Sequence, residues 1–218
     1  MNKTFERVFS EELSFVKSSK SWLLDEFEKS IGGRDNLTLW EHTLAVWQAF
    51  EFFFLPSHQF LFPADKIRAM IFLHDVGKPE AIAVGDPERQ HEITSDFIGS
   101  LVPRGQMSSS QLADILAVVT IDPIGKHLNA KHRLTQERAL SELILLVRTL
   151  RCSRIEVWEL VSSYYQADVC GYPSLRAKVF GESHLPRTNF DSDNLELFHL
   201  DIDERTRFKK LKHEFLSL

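Results

Sequence analysis

Apolar residues recur along this chain at intervals of three and four, and almost nowhere at intervals of two. That spacing gathers them on one face of an α-helix, because successive helical residues turn by about 100°. Ile67, Met70, Ile71 and His74 form one such stripe, and Leu112, Ile115, Leu116 and Val119 form another behind a Ser-rich start. No run alternates as a half-buried strand would, so the sequence predicts an all-α fold. Helices are expected over 11–30, 38–54, 64–75, 91–102, 110–120, 135–150 and 153–168, with glycine and proline in the gaps. Beyond Gly171 the pattern weakens to an acidic loop followed by one or two helices.

The 218 residues suit one domain with terminal extensions. Hydrophobic residues make up 43%, and seventeen phenylalanines against three tyrosines point to an apolar, ring-rich interior. A net charge of -5 argues against a general nucleic-acid binder. The two cysteines, Cys152 and Cys170, are too few for a disulfide framework and suit a reducing compartment. The opening MNKTFERVFSEELSF lacks the apolar core of a signal peptide, and no run reaches the ~18 apolar residues of a membrane span. A soluble, cytoplasmic protein is expected.

The polar residues on buried faces carry the chemistry. His74 ends the apolar stripe of its helix, and His42 lies on the apolar face that Leu39, Val46, Phe50 and Phe53 define. Val157, Leu160, Val161 and Tyr164 lead along one face to Asp168. Asp75 adjoins His74, and the two can reach one point where the last turn loosens before Gly77. Taken singly, an inward histidine is a satisfied core residue and an inward aspartate is a cap or a partner for arginine. Together the four supply imidazole and carboxylate donors suited to a metal ion such as Zn, Mn or Fe, and burial of an unpartnered carboxylate costs too much to be incidental.

These residues and their surroundings resemble the HD superfamily of metal-dependent phosphohydrolases. His42, His74-Asp75 and Asp168 follow the order H…HD…D of that family. LWEHTLAVW resembles the segment around its first histidine, FLHDVGKPE its HD core, and YYQADVCGY its closing segment. QHEITSDFIGS resembles the GHE…GA segment of HD domains attached to some tRNA nucleotidyltransferases. The match spans about residues 36–172, leaving 1–35 as an N-terminal helical extension and 173–218 as a C-terminal extension packing on the domain.

The resemblance implies a helical bundle with a central metal held by His42, His74, Asp75 and Asp168. Further histidines in the family hold a second ion. His91 matches the first of these positions, with the small residues Thr94 and Ser95 on its face leaving space beside it. Asp122 stands where the second is expected, and His127 or His132 can substitute. The implied cofactor is one or two ions of Mn, Fe, Co, Ni or Zn, or of Mg. Asp75 is the expected bridging or orienting catalytic carboxylate. Lys78 is expected at the rim as a mobile charge for a phosphate oxygen, or else as a solvated lysine favoured by the helix dipole. Arg89 and Arg104, in loops either side of the His91 helix, are weaker candidate phosphate binders.

The expected reaction is hydrolysis of a phosphomonoester or phosphodiester of a nucleotide or related small molecule by a metal-activated water. A di-iron oxygenase and a non-catalytic binding or regulatory module are the alternatives. The 78–90 loop is expected to lie over the site. The aromatic second helix, with Trp40, Trp47, Phe50, Phe52, Phe53 and Phe54 almost all round, allows a homodimer or partner surface.

Overall fold

A computed structural model describes residues 21–32, 35–55, 64–100, 109–128, 134–173 and 200–218. The fold is all-α. The helices are α1 (Ser21–Glu28), α2 (Leu39–Ala49), α3 (Ala64–Leu73), α4 (Lys78–Ala83) and α5 (Gln90–Gly99). Then follow α6 (Ser109–Ile121), α7 (Pro123–Leu128), α8 (Gln136–Leu150), α9 (Arg154–Cys170) and α10 (Ile202–Ser217). A π-helical turn, Phe50–Phe54, prolongs α2, and a 3₁₀ turn, Pro87–Arg89, leads into α5. An isolated bridge pairs Ser30 with Thr38, and no strand occurs among the described residues.

Helix α9 is central, packing against α2, α7, α8 and α10. Its sequence explains why. Val157, Trp158, Leu160, Val161, Tyr164, Ala167, Val169 and Cys170 point in every direction around the axis, and all are buried. A helix apolar on all sides belongs inside. By contrast α8 carries one stripe, Ala139, Leu143, Leu146 and Leu150, and buries only that face. Helix α3 packs on α2 and α6 through Ile67, Met70 and Ile71, none of which retains exposed surface.

Helix starts are set by side chains. Thr38 and Glu41 form a capping box at α2, Ser153 and Glu156 at α9, and Asp201 and Glu204 at α10. The spaced aspartates of LDIDER are therefore a helix start. Two helices fall where the sequence suggested loops. Helix α4 occupies the first half of the expected 78–90 lid, and α7 lies within the stretch after Asp122. The structure also corrects the role of Gly77. Its φ of -88° is right-handed, so it is no left-handed helix stop. It is needed for space, since a Cβ there would sit 2.3 Å from the backbone nitrogen of Thr94. Thr94 is fully buried and accepts the Gly77 N–H on its Oγ1 at 3.1 Å, so this small residue packs against Gly77 rather than leaving space beside His91.

The aromatic α2 divides. Trp47, Phe50 and Phe54 are core, whereas Phe52 is 65% exposed. No helix among the described residues is long and apolar enough to cross a membrane.

Candidate metal centre

Three elements deliver four polar side chains to one point in the bundle. His42 comes from the second turn of α2, Asp168 from the last turn of α9, and His74 and Asp75 from the tight turn after α3. The turn is what allows adjacent residues to converge. With α3 ended at Leu73, Val76 and Lys78 close back on the Leu73 and Asp75 carbonyls, and the 100° divergence of a regular helix is lifted. His42, His74 and Asp75 are buried, and the Asp168 side chain keeps 31% of its exposure.

Nε2 of His42 lies 3.2 Å from Nε2 of His74, 2.9 Å from Oδ1 of Asp168 and 3.4 Å from Oδ2 of Asp75. Nε2 of His74 lies 3.3 Å from Oδ1 of Asp168 and 3.6 Å from Oδ2 of Asp75. Donors bound at about 2.0–2.2 Å to one ion, at tetrahedral to octahedral angles, are about 2.8–3.6 Å apart. The five separations therefore fit a shared cation. The donor chemistry agrees, because two imidazoles and two carboxylates suit a divalent transition metal. Among the described residues this is the one group of three or more His, Cys, Asp or Glu whose ligand atoms lie mutually within 4.8 Å.

The surroundings fix the donors. Nδ1–H of His74 donates to the Ile71 carbonyl at 2.6 Å, which leaves Nε2 as a lone pair aimed at the cluster. The ring of Tyr172 lies against His42 at 4.4 Å between centroids, and the Tyr164 ring meets His74 edge-on at 5.8 Å. A side chain at Gly171 would collide with His42, its Cβ falling 2.8 Å from Nδ1 and Cε1. Asp75 is gripped at both oxygens. Oδ2 accepts from the Lys78 ammonium at 2.7 Å, and Oδ1 from the Gln90 amide at 2.5 Å.

Electrostatics follow from this geometry. Burial opposes charge on His42, yet the adjacent Asp168 and Asp75 lift its pKa to about 9. Burial opposes ionisation of Asp168, but the adjacent side chains of His42, above all, and His74 hold it well below the usual carboxylate range. Asp75 is held low in the same way, against burial, chiefly by Lys78. Without a metal ion the four groups thus retain a proton; a bound cation would take its place.

Beside the quartet lies a cavity of about 40 Å³, bordered by His74, Asp75, Gln90, His91, Asp122, Tyr164, Tyr165 and Asp168. Two predicted second-site residues, His91 and Asp122, are therefore brought next to the quartet. Burial and then the charge of Lys126 hold His91 below its ordinary pKa, favouring the neutral ring. Asp122 has a structural duty as well. It adopts a left-handed φ of 38° before α7, and its Oδ1 accepts the Gly125 N–H at 3.1 Å as the helix cap. Burial, then repulsion from Asp168, pushes its pKa up to about 7.

Other expected site residues stand elsewhere. His127 is buried with Nδ1 against the Leu134 carbonyl at 2.9 Å and does not border the cavity. Arg89 is exposed and pairs with Glu92 one turn on, at 2.8 and 3.1 Å. Lys78 is neither mobile nor solvated. It opens α4, is largely buried, and donates to Tyr172 Oη at 2.6 Å as well as to Asp75. Arg104 and His132 lie outside the described residues. Gln90 and Tyr172 are contributors that the sequence reading missed. Tyr172 had a signal, since it follows Asp168 by one helical turn; Gln90 had none beyond adjoining His91. Compared with known proteins, the chain matches no family model, no curated protein and no solved structure.

Proposed function

We propose that the quartet holds a divalent transition metal ion and that the protein is a metal-dependent phosphohydrolase of the HD superfamily. Its substrate would be a phosphomonoester or phosphodiester of a nucleotide or related small molecule. The observation carrying this reading is the convergence of two imidazole nitrogens and two carboxylates, in the order His, His-Asp, Asp, from two helices and a turn. When bound, such an ion supplies Lewis acidity and brings the pKa of a coordinated water towards neutrality.

The chain's own residues do the rest. His42 and His74 offer Nε2 while Tyr172, Tyr164 and the Ile71 carbonyl hold the rings in place. Asp75 is kept from swinging by Lys78 and Gln90, so Lys78 acts by positioning this carboxylate. Asp168, the most exposed of the four, marks the side from which a phosphate ester reaches the centre. Neutral His91, on the cavity wall, is placed to donate or accept a hydrogen bond there.

Metal content tests the centre directly. Purified without chelating resin, the wild type is expected to carry transition metal and Asp75→Ala none, with the circular dichroism of the variant still helical. Hydrolysis of nucleoside mono-, di- and cyclic phosphates should disappear on chelation and return with added metal. Full metal occupancy in Asp75→Ala, or no turnover of any phosphate ester by the metal-loaded wild type, would overturn the proposal.

A further inference from the structure

We infer that the centre is built for one cation, and that the Gln90 amide enforces this by occupying the oxygen of Asp75 that a second cation would need. The inference rests on the metal reading above and concerns the number of ions.

Two catalytic ions stand about 3.5–4 Å apart, close enough to share a donor. Asp75 borders both the quartet and the cavity, so it is the carboxylate suited to sharing. Its Oδ2 belongs to the quartet, lying 3.4 and 3.6 Å from the two Nε2 atoms. Its Oδ1 is engaged by Gln90 Nε2 at 2.5 Å. The amide must face Asp75 with its nitrogen, because Oε1 there would set two acceptors against each other. Gln90 thus puts a neutral N–H donor where a second ion would stand. It is rigidly placed, as the first residue of α5 directly after the Pro87–Arg89 turn.

The outline of a second locus nevertheless persists. His91 and Asp122 border the same cavity, and Nδ1 of His91 is buried with no hydrogen-bond partner. They do not join a second cluster of ligand distance among the described residues. Removing the Gln90 amide would free Asp75 Oδ1 to complete one.

The test is a titration of metal-free protein with Mn²⁺, counting equivalents by calorimetry and reading the paramagnetic resonance signal. Wild type is expected to bind one equivalent with an uncoupled spectrum. Gln90→Ala is expected to bind two with an exchange-coupled spectrum, and adding His91→Ala should return it to one. Gln90→Glu, which supplies a carboxylate at the same position, is the second variant and should also bind two. Circular dichroism identifies any variant that fails to fold. Two equivalents in the wild type, or one in both folded Gln90 variants, overturns this inference and leaves the metal centre standing. No binding by the wild type overturns both.

Discussion

In its first half, α9 presents Val157, Trp158, Leu160 and Val161 to its neighbours, and Trp158 meets the rings of Phe208 and Phe215 of α10 at 5.2 and 6.2 Å. In its last two turns the same helix carries Tyr164 and Asp168 into a cluster of imidazoles and carboxylates. Both ends are buried, but they are complete in different senses. Apart from the buried Trp158 Nε1–H, which has no hydrogen-bond partner among the described residues, the ring and aliphatic contacts need nothing further, being dispersion and the removal of apolar area from water. At the polar end the facing nitrogen and oxygen atoms avoid mutual repulsion only when a cation or a proton sits among them. One half of α9 specifies the fold, and the other contributes to a group of side chains that could hold a metal ion.

The sharpest way to break this contrast is Phe215→Ala. Phe215 is fully buried, so truncation is expected to cost about 3–5 kcal/mol of stability. Denaturant unfolding would register that loss, while elemental analysis should find metal content unchanged. A parallel fall in metal content would show the two ends to be one cooperative unit.

The polar end should respond to pH where the apolar end does not. His42 has a raised pKa of about 9 against an ordinary 6.5. Its charge therefore stabilises the metal-free fold fully below about pH 6.5, and that contribution is lost as pH rises through about 9. Asp75 and Asp168 have depressed pKa values and act in the opposite sense. Their contribution is present above their ordinary 3.8 and is lost in acid as pH falls through the lower folded values. A metal must displace the His42 proton. Its affinity is thus expected to rise about tenfold per pH unit from 7 to 9 and then level off, as read by chelator competition. A flat profile would mean that His42 is already neutral.

The smallest effect should come from Tyr172→Phe. The ring on His42 stays while Lys78 loses one of its two partners, a loss of about 1 kcal/mol. Metal affinity measured calorimetrically should fall by about fivefold or less, with the melting temperature lower by about 2–4 °C at most.

How much of this could be read from the sequence divides along the same line. Stripes such as Ile67, Met70 and Ile71 reveal long helices because 3.6-residue periodicity is a local property. The quartet was legible for the same reason, as His42, His74 and Asp168 each lie on or end an apolar stripe and Asp75 adjoins His74. The short helices α4 and α7 were not. Each is six residues long, and each sits among residues, Gly77 with Pro79 or Pro123 with Gly125, that signal a break. Contacts across the bundle were also hidden. Nothing local says that Gln90 meets Asp75, that Lys78 turns inward to Tyr172, or that Gly77 is glycine because Thr94 lies against it. Arg89 was expected to bind phosphate, but its guanidinium is taken up by Glu92 one turn on.

The capping boxes carry a consequence for how such a chain can drift. His42 follows the Thr38 cap by four residues, and Asp168 follows the Ser153 cap by fifteen, about four turns. Because each cap pins where its helix starts, these two counts are fixed lengths. A single inserted or deleted residue inside either interval would swing the ligand by about 100° and shift it about 1.5 Å along the axis. Insertions before Thr38 or before Ser153 would leave both ligands where they are. Length variation among descendants of this chain should therefore collect outside the two intervals, whatever happens to the identities of the residues within them.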